Sequence, residues 1–553
     1  MTDKLKISLA QLNPVLGDIP GNTKLIRDAR AQAAADGADL VFFGELAVSG
    51  YPPEDLVLKP AFQQACREAV GGLARDTADG GPAMLVGSPW KADGKLYNGL
   101  FLLADGRIAA ERFKHDLPNY GVFDEKRVFD AAPLQGPISF KGVRLGAMIC
   151  EDLWFPEVSE CLAESGAEIL MVPNGSPYEH DKLDQRMNIA VARQTENDLP
   201  IIYVNQVGGQ DELVFDGGSF VLDKGRQLRC LLPAFESKVV TTEWHRGNDG
   251  WHCRPAEIAE AMENLETIYH AMVLGLRDYV TKNRFPGVLL GLSGGIDSAL
   301  SAAVAVDALG REKVKAYMLP SPYTSRESLE DAEACARLLG IAYESISIEP
   351  AMQAFAEMLR GTFAGRPADT TEENIQSRAR GLTLMALSNK LGAMVLTTGN
   401  KSEMSVGYAT LYGDMCGGFS VLKDIYKVTV FRLCRWRNVN RPKGVMGPAG
   451  PVMPERVITK PPTAELKPNQ TDQDTLPPYE ILDGILECLV EREMTVDEIS
   501  AKGYEKATIL RVWRMLDLAE YKRRQAPPGV KISRRAFGRD RRYPITNGFK
   551  AQS

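Results

Sequence analysis

Apolar positions fall in short alternating or continuous runs separated by helical spacing, and this pattern predicts strands interleaved with helices. In the first part of the chain the alternating run 1–12 and the short apolar runs 38–43, 83–87, 99–103, 143–149, 168–172, 200–204 and 219–222 predict strands. Residues 23–35 and 183–196 predict helices. Many strands with interleaved helices imply a layered α/β domain over residues 1–245. The polar stretch 246–255 predicts a linker, taken to extend to residue 260. A long helix is expected over 257–282, and strand–loop–helix units follow, with strands at 288–292, 314–318, 343–348 and 393–397. That order predicts a doubly wound parallel sheet in a second domain, 261–553, with ligands at the carboxyl ends of its strands. Residues 437–462, rich in Pro, Gly, Arg and Lys, predict a mobile loop. The tail 522–542 is strongly basic, either simply solvated or a clamp over an anionic nucleotide.

Composition narrows the class. A chain of 553 residues holds more than one core, and 44% hydrophobic with 25% charged residues is globular. No stretch is long and apolar enough to span a bilayer, and the N-terminus lacks a signal-peptide pattern, so a cytoplasmic location without membrane partners is expected. Nine cysteines without a Cys-x-x-Cys pair argue against zinc and for free thiols. A net charge of −7 argues against a general nucleic-acid binder.

The most informative segment is Gly291, Leu292, Ser293, Gly294, Gly295, Ile296, Asp297 and Ser298, between a predicted strand and a predicted helix. Helix N-termini present free N–H groups and a positive dipole end to a phosphate. The glycines permit close backbone approach, the serines add donors, and Asp297 can hold a magnesium ion. No Gly-Lys-Ser/Thr of a Walker A loop occurs. In the first half, Glu45, Lys114 and Cys150 each lie at or near a predicted strand end. A thiol nucleophile needs a base for its proton and a positive group or N–H donors for the tetrahedral oxyanion. These three residues supply that set.

The Ser-Gly-Gly-x-Asp-Ser loop resembles the pyrophosphate loop of the ATP pyrophosphatases, which split ATP into AMP and pyrophosphate to adenylate an oxygen. The segments around Glu45, Lys114 and Cys150 resemble the nitrilase, or carbon–nitrogen hydrolase, family. That resemblance implies an αββα sandwich, with Glu45 as general base, Cys150 as nucleophile and Lys114 stabilising the tetrahedral intermediate. Glu125 matches a second glutamate of such sites, and Tyr51 is expected to help close the pocket. The run 172–178 with Lys182 matches the glutamine-using subgroup, which implies Tyr120, Ser176 and Lys182 as the glutamine-binding residues.

Together the two halves, in this order, resemble the glutamine-dependent NAD synthetases, whose second domain is adenine nucleotide α-hydrolase-like. The resemblance implies release of ammonia from L-glutamine, adenylation of deamido-NAD by ATP, and amidation to NAD, AMP and pyrophosphate. It places Thr398, Lys427 and Thr463 with the loop on ATP, and Asn374, Arg378, Glu403 and Lys522 on deamido-NAD. Asp297 and Glu403 become the pair expected to hold Mg2+. It further implies an ammonia channel and a homo-oligomer built on synthetase-domain dimers. In the segment 409–419 the chain departs from small ammonia-using relatives, with Leu411 and Gly418 where those carry a lysine and an aspartate. Two alternatives stay open: another glutamine-fed adenylating amidotransferase, and an RNA-modifying ATP pyrophosphatase with the tail on RNA.

Overall fold

In the computed structural model, which describes residues 3–467 and 470–549, the chain divides into two units, Met1–Met262 and Glu263–Ser553. Counts below refer to the described residues; Met1 and Thr2, at the head of the first expected strand, lie outside them.

In the first unit, period-two alternation sends Leu40 and Phe42 into one core and Val41 and Phe43 into another. A strand buried on both faces reads as a continuous apolar run, which is why 38–43 stands out in the sequence. Seven strands form the first sheet, in the order Gly250–Cys253, Lys238–Gly247, Lys4–Gln11, Leu40–Phe43, Ala83–Ala92, Lys95–Ala104, Arg107–Phe113. Six form the second: Gln227–Leu231, Phe220–Asp223, Ile201–Asn205, Ile169–Asn174, Val143–Ala147, Ile138–Phe140. Ile7, Leu9, Leu145, Met171 and Ile202 fill the core between the sheets. Helices Ile19–Ala35 and Pro60–Asp76 cover the first sheet through Ile26 and Val70. Helices Pro156–Glu164 and Lys182–Asn197 cover the second through Leu162 and Ala190. The result is the expected αββα sandwich.

The expected linker is largely strand. Gly247 pairs with Gly250 across a two-residue Asn-Asp turn, and Trp244 pairs with Cys253. Trp251 and Cys253 are buried in the inter-sheet core, which outweighs the polar residues between them. Residues 257–259 then hydrogen-bond to Leu231 at the edge of the second sheet, so the long helix starts only at Asn264.

The second unit holds a five-stranded parallel sheet, in the order Ala342–Ser345, Val314–Met318, Val288–Gly291, Met394–Thr397, Phe419–Ser420. The strand order reverses at Val288–Gly291, so the loops after it and after Met394–Thr397 open at the topological switch point. Helix Ile296–Leu309 is almost wholly buried.

Two further expectations change. Residues 437–462 are not a loose loop: Arg437 is buried, pairs with Asp307, and donates to the carbonyls of Asn440, Pro448 and Gly450. Val452 and Met453 are buried beside it, and a short helix, Glu455–Thr459, follows. In the basic tail, Lys531 pairs with Asp540, Arg541 with Glu520, and Arg535 with Glu493. Asp424 accepts the N–H groups of Ile532 and Ser533. Acids within the tail, just before it and farther back, Asp540, Glu520 and Glu493, take up these three cations, so the charge run is not simply solvated.

His270, on the helix Asn264–Lys282, is held neutral by burial, which depresses its pKa to about 4 against the pull of Asp307 and with help from Arg277; Glu266 lies 3.9 Å from its ring. The unfolded chain binds a proton below its ordinary value of about 6.5, and the folded chain does not. Stability contributed above pH 6.5 is therefore lost as pH falls towards 4, by about 3 kcal/mol. We expect His270→Gln to flatten that difference, read as urea unfolding midpoints at pH 7 and pH 4.5; equal pH dependence in both proteins contradicts it.

Candidate active sites

Four strand ends in the first unit converge. Glu45 follows Leu40–Phe43, Lys114 follows Arg107–Phe113, Cys150 follows Val143–Ala147, and Ser176 follows Ile169–Asn174. Lys114 is fully buried, and its Nζ donates to Glu45 Oε1 at 2.7 Å and to Glu125 Oε1 at 2.9 Å. Glu45 is further fixed by Asn98 Nδ2 on Oε1 at 2.7 Å and by the Gly175 N–H on Oε2 at 2.8 Å. Tyr51 is buried and donates to Glu125 Oε1 at 2.8 Å, so it braces the second glutamate. Burial works against the Lys114 charge, but Glu125 and Glu45 outweigh it and keep the ammonium protonated. Burial likewise pushes the Glu125 carboxyl up, with Lys114 opposing.

Cys150 opens a single helical turn, Cys150–Leu153, with φ at +49°. That left-handed position is strained for a non-glycine residue. Asp152 holds it in place by accepting the N–H groups of Ile149 at 2.8 Å, His115 at 3.0 Å and Asp116 at 2.7 Å, which ties the turn to the segment after Lys114. Burial, then the Glu45 carboxylate, push the Cys150 thiol well up, with Lys114 opposing. The resting group is therefore a thiol that needs a base.

Of the three residues expected to bind glutamine, Tyr120 meets this turn, Lys182 meets the residue after it, and Ser176 lies on the Glu45 side. Tyr120 donates to both oxygens of Glu151 at 3.0 Å, Lys182 Nζ lies 5.0 Å from the centroid of the Trp154 ring, and Ser176 adjoins the Gly175 that holds Glu45.

In the second unit, the loop 291–298, expected to hold phosphate, is shaped by its own hydroxyls. Ser298 Oγ accepts from the Ser293 N–H at 3.2 Å and donates to the Gly295 carbonyl at 3.0 Å, and Ser293 Oγ accepts from the Gly295 N–H at 3.2 Å. Gly294 has φ +76°, and a Cβ there would stand 2.3 Å from the Ser328 carbonyl oxygen. Gly294→Ala should therefore displace the loop. Strain of about 1–3 kcal/mol corresponds to an expected loss of about 10- to 100-fold in ATP-dependent turnover, with glutamine hydrolysis unchanged; an alanine variant with full turnover would contradict this.

The loop borders a cavity of about 280 Å³ at the switch point. Gly291, Leu292, Ser293, Gly295, Ile296, Asp297, Ser298, Thr398, Glu403, Lys427 and Thr463 all line it, whereas Gly294 packs behind. Lys427 Nζ donates to Asp297 Oδ2 at 2.5 Å and to Glu403 Oε1 at 3.0 Å. Burial opposes the charge of Lys427, and Asp297 and Glu403 restore it. Glu403 also lines a small adjoining cavity of about 20 Å³ together with Asp414, Lys423 and Pro527.

Asn374, Arg378 and Lys522 do not line the large cavity; they meet around one backbone segment. Asn374 Oδ1 accepts from Thr410 Oγ1 at 3.0 Å, and Arg378 Nε donates to the Leu411 carbonyl at 3.2 Å. Lys522 Nζ donates to the carbonyls of Gly407 at 2.7 Å and Ala409 at 2.6 Å.

Sequence reasoning missed several residues here. Asn400 is fully buried and ties the Asp297 carboxylate to the Glu403 backbone: its Nδ2 donates to Asp297 Oδ1 at 2.8 Å, and its Oδ1 accepts the Glu403 N–H at 3.0 Å. It stands in the same Gly-Asn-Lys-Ser-Glu run as Glu403, as a helix N-cap, and that position was the available signal. Arg380 and Lys460 add cations to the cavity wall, and Asp414 an anion. Lys460 immediately precedes the Pro-Pro-Thr run, whereas Arg380 and Asp414 carry no local motif.

Residues 6–248 match the family model of carbon–nitrogen hydrolases, and residues 268–526 that of NAD synthases. The chain is 50% identical, over 100% of both chains, to the glutamine-dependent NAD(+) synthetase of Rhodobacter capsulatus. It is 48% identical to that of Xanthomonas campestris pv. campestris, over 99% of this chain and 98% of the other. The solved structure of the Acinetobacter baumannii glutamine-dependent NAD+ synthetase in complex with adenosine diphosphate is similar with a TM-score of 0.79 and 42% identity over 100% of each chain. The Cytophaga hutchinsonii counterpart, at 21% identity and a TM-score of 0.82 over 99% of this chain and 98% of its own, shares the fold.

Proposed function

The chain belongs to the glutamine-dependent NAD(+) synthetases, and on that premise we propose how its residues divide the work. The protein is an ATP-dependent carbon–nitrogen ligase that takes nitrogen from L-glutamine and converts deamido-NAD to NAD. The observation that carries the residue assignment is the pair of built sites: a buried Glu45–Lys114–Cys150 cluster, and a phosphate loop at a sheet's switch point.

Glu45 takes the Cys150 proton, and the thiolate adds to the carbonyl carbon of the glutamine side-chain amide. Lys114, charged and buried, faces the negative oxygen that forms, in surroundings where such a charge counts for more than in water. Glu45 returns the proton to the leaving nitrogen, which departs as ammonia. It then draws a proton from the water that frees glutamate from the sulfur. Glu125 and Tyr51 hold Lys114 in line, and Tyr120, Ser176 and Lys182 bind the amino-acid end of glutamine.

The second site turns a carboxylate into an electrophile. The nicotinate carboxylate of deamido-NAD attacks the α-phosphorus of ATP, and pyrophosphate leaves. Ammonia then displaces AMP from the acyl carbon. The loop N–H groups and hydroxyls of residues 293–298 bind the departing pyrophosphate, with Lys427 neutralising charge, and Thr398 and Thr463 contact ATP. Asn374, Arg378, Glu403 and Lys522 are assigned to deamido-NAD. Asp297 and Glu403 fit a magnesium ion as hard oxygen donors, both within reach of one Lys427 Nζ. No group of three or more His, Cys, Asp or Glu poised for a metal exists among the described residues, so phosphate oxygens and water would complete such a shell. The ion would supply charge neutralisation on the phosphates.

Free ammonia is lost to protonation and diffusion, so passage inside the protein between the two sites belongs to this reading. So do a cytoplasmic location and a homo-oligomer through synthetase-domain dimers; no helix of the described residues is long and apolar enough to cross a membrane. Incubation with ATP, magnesium, deamido-NAD and glutamine should yield NAD, glutamate, AMP and pyrophosphate; ADP as the nucleotide product would refute adenylation.

A further inference from the structure

Ser176 is pinned from three sides. Its N–H donates to Asn205 Oδ1 at 2.9 Å, and its carbonyl accepts from Asn205 Nδ2 at 3.0 Å. Its hydroxyl meets Arg186, a residue of the helix Lys182–Asn197 with a side-chain exposure of 1%. Arg186 Nε donates to Ser176 Oγ at 3.0 Å, and Nη2 donates to the carbonyls of Ser176 and Pro177 at 2.9 Å. Asp216 holds the far side of the guanidinium through Nη1 at 3.0 Å. Burial works against that charge, and Asp216 outweighs it.

A guanidinium has only donors, so Ser176 Oγ is the acceptor in this contact and its proton points elsewhere. The buried Tyr203 phenol, which burial keeps protonated, interacts with the same serine. We propose that Arg186 is a positioning residue of the glutamine site, which fixes the Ser176 hydroxyl as a hydrogen-bond donor to the α-carboxylate of glutamine. The proposal rests on the assignment of Ser176 to glutamine binding. An amino-acid ammonium has no lone pair to receive that proton, whereas a carboxylate has several. The contact therefore selects the carboxylate end of the substrate, and Arg186 acts on affinity without touching substrate.

The test compares Ser176→Ala, Arg186→Met, the milder Arg186→Lys and the double variant Ser176→Ala/Arg186→Met in the full chain. Loss of a hydrogen bond to a charged group corresponds to about 10- to 100-fold. Ser176→Ala and Arg186→Met should each raise the glutamine KM by about that factor, with kcat nearly unchanged. Arg186→Lys, which keeps a partner for Asp216, should give a smaller rise. Synthesis from ammonium salt should be unchanged in all, and iodoacetamide should still label Cys150, which shows that the pocket is folded. The double variant should be no worse than Ser176→Ala alone, because residues acting through one contact are not additive. Wild type should discriminate against glutamine whose α-carboxylate is converted to an amide, and both single variants should lose that discrimination. Additive KM effects, or an Arg186→Met variant with unchanged KM beside an impaired Ser176→Ala, would overturn the role of Arg186. An unimpaired Ser176→Ala would instead overturn the glutamine assignment itself.

Discussion

Cys150→Ala abolishes NAD formation from glutamine, by about 10⁴-fold or more, while NAD formation from a high concentration of ammonium salt continues. The expectation follows from where the residue sits. Cys150 is buried beside Glu45 and Lys114, on a strained turn held by Asp152, entirely within the carbon–nitrogen hydrolase region. Alanine removes the only atom that can bond to the amide carbon and leaves the Lys114–Glu45–Glu125 contacts in place. Ammonia supplied from outside bypasses that step. Initial rates with the two nitrogen sources decide the matter, and parallel loss of both activities would show that the two chemistries are not separable in this way.

Asp297→Ala should produce the complementary phenotype. Both nitrogen sources fail, by about 10²- to 10³-fold, because the carboxylate assigned to hold magnesium against the phosphates, and to position Lys427, is lost from the synthetase site. Asp297 opens the helix Ile296–Leu309, lines the cavity, and meets Lys427 and Asn400. Removing it leaves Lys427 with Glu403 alone and frees the Asn400 amide. Glutamine hydrolysis, assayed as glutamate release, should survive at least in part. Full synthesis in this variant would remove Asp297 from the mechanism.

Where a candidate residue sits at a strand end, its place was legible in the sequence. Glu45 and Cys150 follow apolar runs at the ends of Leu40–Phe43 and Val143–Ala147, and the phosphate loop follows Val288–Gly291. A short motif there carries both its chemistry and its place in the fold. Residues acting through long-range contacts were harder to place. Lys522 stands more than a hundred positions from Asn374 and Arg378, and only folding brings the three to the 407–411 segment instead of the cavity wall. Arg186 and Arg380 look like ordinary helix-surface cations until burial and partners are known. The stretch around Trp251 read as a linker because the spacing of two buried side chains is weaker than the polar signal between them. The tail misled for the opposite reason, since the pairing of its cations with Glu493, Glu520 and Asp540 appears only once the chain folds back.

The central claim is that nitrogen released at Cys150 is the nitrogen attached at the ATP site of the same protein. The direct measurement supplies glutamine labelled with 15N in its side-chain amide, together with ATP, magnesium, deamido-NAD and an excess of unlabelled ammonium salt. Mass analysis then reads the label in NAD, and phosphorus resonance reads the nucleotide products. The account predicts NAD carrying mainly 15N in its carboxamide, with one AMP and one pyrophosphate for each NAD. NAD carrying mainly unlabelled nitrogen, or ADP in place of AMP, would contradict it.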